Sequence, residues 1–413
     1  MNSFIEQSNF FEGNDPEKLA KEYGTPLYVY NEKILRSRMD AVDKVITKYP
    51  YTANYSVKAN TNIHILKLAL EEGNNCDAMS VGEIQMLLKA GFPKERIFFV
   101  PNNVSEEEMQ FAIDNKIMTS CDSLSQLELY GSLNKGGKVA VRINPGVGAG
   151  HHEKVVTGGK KTKFGISEEF IPQIFEIASK YNLTIAGINQ HIGSLFMDPQ
   201  PYLDAVSNLL RIALQFKDLE FVDFGGGYGI PYHKLDDEKD FPMEDFKKRL
   251  EPILDDFVEK YGRAPLFKSE PGRFCVAEGS VILGRVHAVK HNNGKTFAGT
   301  DIGMNVLVRP SMYDSWHDIE VIRDGKVVAR DNLVEQTVTG NICESGDLLA
   351  KDRPLPEMKR GDLACVLDAG AYGWSMCSTY NSRPRPAEVL ICKDGSVKVI
   401  RRRETIEDLM RLF

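Results

Sequence analysis

The fifty residues YTANYSVKANTNIHILKLALEEGNNCDAMSVGEIQMLLKAGFPKERIFFV, Tyr51 to Val100, decide the fold. They open on TANYSVKA, a short run that suits a strand. Apolar residues then recur three and four apart from Ile63 to Glu72, which predicts an amphipathic helix. NNCDAMS reads as a second strand, Val81 to Ala90 as a second helix and RIFFV as a third strand. Strands joined by helices run parallel, because each helix carries the chain back to the edge it left.

Downstream the unit repeats. MTSCDS, KVAVRINP, TIAGINQHIG, FVDFGGG and LFKSEPG are further strand candidates, and Ser105 to Asn115 and Tyr202 to Phe216 have helical spacing. Eight strands alternating with helices between about residues 50 and 275 predict a (β/α)8 TIM barrel in both count and size. From Gly279 the texture changes. VILGRVHAVKH, KTFAGTDI, DIEVI, ACVLDAGAYG and AEVLI…SVKVIRR are β-rich, with turn signals at Asn292-Asn293-Gly294 and Lys393-Asp394-Gly395. They predict a C-terminal antiparallel β-domain of barrel or sandwich type. The strand-like TPLYVYN, Thr25 to Asn31, would join it. The expected division is an N-terminal segment 1–32, a barrel 33–278 and a β-domain 279–413, closely packed because no low-complexity linker separates them.

Composition narrows the function classes. A chain of 413 residues, 42% apolar and 26% charged, has the balance of a soluble protein with two domains. A net charge of −7 without a basic stripe argues against nucleic acid. Seven scattered Cys and eight His form neither CxxC nor HExxH, so no metal site is expected and the thiols should be reduced. The opening MNSFIEQSNF lacks the pattern of a secretory signal, and no run approaches the ~20 apolar residues of a membrane span. A cytoplasmic enzyme is the expectation.

Four motifs carry chemistry: YSVKAN around Lys58, HIGS from His191 to Ser194, GGGYG from Gly225 to Gly229, and EPGR from Glu270 through Gly272 to Arg273. Singly each is ordinary: a solvated lysine, a satisfied core histidine, a tight turn, a surface ion pair. Their placement is not. They end the first, sixth, seventh and eighth strand candidates, and barrel active sites are built at the C-terminal ends of strands. A lysine amine among small neighbours can form an imine with a cofactor aldehyde. A carboxylate opposite a pyridine nitrogen would keep the ring an electron sink. Glycines let backbone N–H groups close on a phosphate. The glycine run is not a dinucleotide fingerprint, because Ile230 stands where the third glycine belongs. Together these parts fit pyridoxal phosphate.

A second group lies in the β-rich region. Cys343-Glu344 in CESGD, Arg309-Pro310 with Tyr313, and Gly370-Ala371-Tyr372-Gly373 offer a thiol, a carboxylate, a guanidinium fork and hydroxyls. Singly, Cys343 would be a small buried hydrophobe and Glu344 a surface acid.

The chain, from Thr25 to Val389, closely resembles the fold-type III pyridoxal-phosphate decarboxylases, in particular the diaminopimelate decarboxylase family. The tail DAGAYGWSMCSTYNSRPRPAEVL is distinctive of that family. The resemblance implies a barrel plus β-domain working as a homodimer whose active sites are shared between subunits. It implies that Lys58 anchors the cofactor, His191 stacks on its ring, Ser194 and Gly225, Gly226 and Gly227 hold its phosphate, and Glu270 faces its nitrogen. Gly272, Arg273 and Tyr372 would complete the cofactor site, with Asp77 and Arg142 in support. Arg273, Arg309, Tyr313, Glu344 and Tyr372 would contact an amino-acid substrate, and Cys343 of a neighbouring subunit would donate a proton. Two departures stand out: Phe99-Val100-Pro101-Asn102-Asn103 replaces an HGN-type segment, and the loop Gly146 to Ile166 begins unusually rich in Gly and His.

The implied reaction is decarboxylation of meso-diaminopimelate to L-lysine. Arg309 favours it over ornithine or arginine, since a distal cation would be repelled. Rival readings are decarboxylases of carboxynorspermidine, D-ornithine or D-lysine, a racemase, which would not need CESGD, and a non-catalytic regulator, which would have lost Lys58 or Cys343.

Overall fold

The computed structural model describes residues 3–146 and 162–413. The unusual start of the loop after the fifth strand, residues 147–161, lies outside the described residues. The chain forms two compact units. One comprises Arg38–Ile230 and Asp240–Cys275; the other comprises Met1–Ser37, Pro231–Lys239 and Val276–Phe413.

The first unit is the expected barrel. Its strands are Tyr51–Ser56, Asn75–Ala78, Ile97–Phe99, Met118–Cys121, Lys138–Asn144, Thr184–Asn189, Phe221–Asp223 and Leu266–Ser269. All pair in parallel with their neighbours, and Phe267 opposite Tyr51 closes the ring. The helices begin where side chains can take up unpaired backbone N–H groups. Asn62 caps Ile63–Glu71, Ser80 caps Val81–Ala90, and Ser105 with Glu108 forms a capping box on Glu106–Asp114. Gly91, at φ +104°, ends the second of these in the left-handed conformation that glycine adopts without strain.

Inside the barrel Phe98, Ala140 and Phe221 pack together, Phe98 edge-on to Phe221 at 5.3 Å. Nearer the C-terminal strand ends the interior turns polar: Asn54, Ser56, Asp77, Ser120, Asn189 and Asp223 are all buried. Ser56 Oγ donates to Asp77 at 2.9 Å, Asn54 to Asp223 at 3.0 Å and Ser120 to Asn189 at 2.6 Å. Buried polar groups persist only when so partnered, and a layer of them beneath one rim marks where function sits.

The second unit is built on a β-sheet whose core includes Leu27, Val29, Val281, Leu283, Leu363, Val389 and Ile391. Leu27–Asn31 does join it, antiparallel to Ser280–Asn292 on one side and parallel to Ala387–Ile391 on the other. The hairpin between Ser280–Asn292 and Lys295–Thr300 turns on Asn293 and Gly294, both at positive φ, as a two-residue type I′ turn requires. Leu333–Thr339 and Leu348–Pro356 form a further hairpin that periodicity alone does not single out. Pro354 and Pro356 disguise the latter strand. Among the described residues no helix is long and apolar enough to cross a membrane.

Candidate active site at the barrel mouth

Lys58 rides on a single 3-10 turn, Val57–Ala59, that follows the first barrel strand; Val57 and Ala59 are buried and Lys58 is half-buried. The EPGR segment packs directly on this turn. Ser56 N–H donates to the Pro271 carbonyl at 3.0 Å, and a Cβ on Gly272 would stand 2.9 Å from the Ser56 Cβ and 3.2 Å from that of Ala59. The small residues flanking Lys58 and the glycine of EPGR are one packing solution.

His191 lies two residues past the sixth strand. Its Nδ1 accepts the Gly226 N–H at 3.2 Å, which places the ring proton on Nε2. Burial, with the positive charges of Lys58 and Arg142 nearby, holds its pKa well below the usual value, so the imidazole is neutral. Gly225 and Gly226 meet neighbouring backbone, and Gly227 the Phe196 ring. A Cβ on Gly225 would lie 2.2 Å from the Gln190 carbonyl oxygen, and one on Gly226 would lie 1.9 Å from that of Glu270. Gly225 and Gly227 also take positive φ, +74° and +129°. Asp223 braces the turn by accepting the Gly225 N–H at 2.9 Å, and Tyr202 donates to the Gly225 carbonyl at 2.9 Å. Arg273, buried at the start of a short helix, donates to Ser194 Oγ at 3.3 and 3.1 Å.

The electrostatics single out Glu270. It is 3% exposed, and its Oε1 has no hydrogen-bond partner among the described residues. Burial, then the charges of Asp223 and Asp77, push its pKa well above the usual range, with Lys58 and Arg142 only partly opposing. Burial thus tilts Glu270 toward its protonated form. Asp77 is pushed up to about 7 by burial, against the pull of Lys58 and Ser56, and Asp223 likewise to about 6. Arg142, on the fifth strand, faces Asp122 at 3.4 Å and stacks 4.6 Å above the Phe164 ring.

This mouth thus carries an amine, a flat neutral imidazole, a glycine turn beside a guanidinium, and a buried acid whose Oε1 lacks a hydrogen-bond partner among the described residues. Pyridoxal phosphate fits that set: aldehyde, ring face, phosphate and ring nitrogen each meet a group of the complementary kind.

Asp77 gives a pH prediction. A free aspartate titrates near 3.9, so the raised value penalises the folded state as pH climbs toward about 7. Asp77→Asn should therefore raise the unfolding midpoint of the cofactor-free protein more at pH 8 than at pH 5. Calorimetry that found equal gains at both would contradict the assignment.

The remaining expected residues lie in the second unit. Arg309 is 2% exposed and donates to Tyr232 at 3.1 Å, His317 Nε2 at 2.7 Å and Ser315 at 3.3 Å. Tyr313 ends the same five-residue helix, Arg309–Tyr313. Cys343, expected to be buried if merely structural, is exposed, and Asn381 donates to its Sγ at 3.0 Å. Glu344 accepts from the Tyr380 hydroxyl. Tyr372 sits at φ +56° in the turn after the strand Leu363–Val366.

Three supporting residues escaped the motif reading: Asp223, Asn54 and Asp122. A carboxylate in the apolar run FVDFGGG was the available signal for Asp223. Asn102 of the departing segment donates to Asp122 at 2.5 Å, which gives that segment a role in bracing Arg142.

Residues 32–277 match the family model of the pyridoxal-dependent decarboxylase pyridoxal-binding domain. The chain is 42% identical to a diaminopimelate decarboxylase of Methanothermobacter thermautotrophicus, over 97% of this chain and 94% of that one. A crystal structure of a diaminopimelate decarboxylase superposes with a TM-score of 0.89 at 34% identity, covering 96% of this chain and 95% of the other. The Helicobacter pylori diaminopimelate decarboxylase complexed with L-lysine gives 0.87 at 33% identity, covering 96% and 98%.

Proposed function

The chain belongs to the pyridoxal-dependent decarboxylases, within them to the diaminopimelate decarboxylase family, and on that premise we propose that it converts meso-diaminopimelate to L-lysine and CO2. The observation that carries the reading is Glu270, a buried acid whose Oε1 lacks a hydrogen-bond partner among the described residues, grouped with the Lys58 amine, the neutral His191 and the glycine turn. Bound pyridoxal phosphate supplies an electron-accepting ring that takes up the charge left when the substrate carboxylate departs.

The protein's own groups do the rest. Lys58 is the residue that would hold the cofactor, through its Nζ. His191 presents a flat, uncharged ring face, kept so by the Gly226 N–H at Nδ1. Gly225, Gly226 and Gly227, with Ser194, Gly272 and Arg273, hold the phosphate. Glu270, as a carboxylate, would face the ring nitrogen and favour its protonated form. Asp77 and Arg142 set the charge balance around it.

Arg309 takes the distal carboxylate of the substrate, its guanidinium oriented beforehand by Tyr232, His317 and Ser315. Glu344 takes the distal ammonium, with Tyr313 and Tyr372 as hydroxyl donors. Cys343, reaching the site from a second copy of the chain, delivers the proton that replaces CO2. Its exposure supports a role outside the fold's own core. The enzyme would work in the cytoplasm as a homodimer.

Arg309→Met tests the substrate half of this reading. Losing a charge-assisted fork should raise KM for diaminopimelate by about tenfold or more, the equivalent of roughly 1.5–3 kcal/mol. Intact kinetics would contradict the role of Arg309. Cys343→Ala should cut turnover by about 10²–10⁴, the usual worth of a positioned proton donor, while the cofactor stays bound. Visible absorbance of the cofactor and steady-state rates read the two effects separately.

A further inference from the structure

Lys234 lies outside the motifs yet is nearly buried. It sits on the 3-10 turn Lys234–Asp236, in the segment Pro231–Lys239 that follows the glycine run in sequence but belongs to the second unit. Its Nζ is 2.7 Å from Asp368 Oδ1 and 3.0 Å from Glu278 Oε1, with side-chain exposures of 9%, 0% and 5% for Lys234, Asp368 and Glu278. The Phe4 ring covers the ammonium at 4.3 Å. One cation thus serves two buried carboxylates, an arrangement that fixes geometry more than it adds stability.

What it fixes is the turn from Asp368 to Gly373. Two non-glycine residues there take the left-handed conformation, Asp368 at φ +58° and Tyr372 at φ +56°. Such strain persists only where surroundings over-determine the backbone. Ala369 N–H donates to the Ser280 carbonyl at 2.9 Å and Gly370 N–H to that of Ala277 at 3.1 Å. A Cβ on Gly370 would stand 1.9 Å from the Val276 carbonyl oxygen, so the turn lies flat against the backbone leading to Glu278. Lys234 grips both layers at once, through Asp368 on the turn and Glu278 on the strand entry beneath it.

We propose that Lys234 is a positioning residue that locks the Asp368–Gly373 turn and so sets the placement of Tyr372. The inference rests on the functional reading that gives Tyr372 a cofactor and substrate contact. Two of the clamped segments follow other cofactor candidates, Gly227 and Arg273, within a few residues in sequence.

Lys234→Met alone leaves two buried carboxylates unpaired and is expected to lower the thermal midpoint. The informative variant combines Lys234→Met with Glu278→Gln and Asp368→Asn, which removes the unpaired charge and should recover the wild-type midpoint. If Lys234 positions Tyr372, the triple variant still binds pyridoxal phosphate about ten- to a hundredfold more weakly in an absorbance titration, with KM raised in step. Tyr372→Phe should then weaken cofactor binding in the wild type and add little in the triple variant. A triple variant with wild-type cofactor affinity, or a full additive loss from Tyr372→Phe, would overturn the proposal. A wild-type protein that binds no pyridoxal phosphate would instead overturn the functional reading beneath it.

Discussion

Lys58→Ala is expected to lower turnover by at least about three orders of magnitude and to leave no cofactor covalently attached after borohydride reduction. The expectation follows from where the amine sits. Its charge acts on Asp77 in the second barrel strand, Glu83 on the helix after it, His191 past the sixth strand and Glu270 past the eighth. Lys268 is the obvious competitor, since it is also largely buried in the barrel. Its ammonium, however, lies over the Phe221 and Phe98 rings, at 3.9 and 5.2 Å, among the apolar side chains of the interior. Peptide mapping of the reduced wild-type protein should find the cofactor on Lys58. An adduct on Lys268, or wild-type turnover by Lys58→Ala, would dismantle the site as described.

Glu270→Gln ranks second. The amide keeps the size of the carboxyl and cannot hold a titrating proton, so the variant separates packing from proton chemistry. Burial and the two neighbouring aspartates push Glu270 toward its protonated form, with Lys58 and Arg142 only partly opposing. A ring nitrogen beside it would share that proton and complete the bare Oε1. With glutamine the ring loses this partner, and turnover should fall by about 10²–10⁴ while the cofactor remains bound through Lys58 and the glycine turn. Unchanged turnover would mean that Glu270 is buried for structural reasons only. Loss of cofactor without loss of folding would assign it to binding rather than to chemistry.

Much of this was legible in the sequence because barrels put their chemistry in one place. Once eight strands are counted, Lys58, His191, Gly225 and Glu270 stand at strand ends and must share a rim. The long helices were equally plain, their apolar spacing sharpened by the caps Asn62, Ser80 and Ser105. The buried polar layer was not. A parallel barrel strand is covered on both faces, so period-two alternation vanishes and nothing distinguishes an inward Asn54 or Asp223 from a residue facing the helices. The Leu348–Pro356 strand was hidden by prolines that sit at a sheet edge. Lys234 gave no signal at all, because HKLDDEK reads as a solvated charged loop until Glu278 and Asp368 are seen around it.

Arg309 shows the limit from the other side. Its motif read as an ordinary loop, whereas the folded chain buries it among Tyr232, His317 and Ser315. On the proposed reading that guanidinium fork suits diaminopimelate, which brings a second carboxylate, over the diamines' precursors, which bring only a distal cation.

The most direct test supplies the purified protein, loaded with pyridoxal phosphate, with meso-diaminopimelate and in parallel with L-ornithine, D-lysine and carboxynorspermidine, and identifies the products. Release of CO2 with L-lysine from diaminopimelate alone is the predicted result. Turnover of one of the other amines with diaminopimelate untouched would contradict the substrate assignment built on Arg309 and Glu344, and no turnover of any of them would contradict the enzyme.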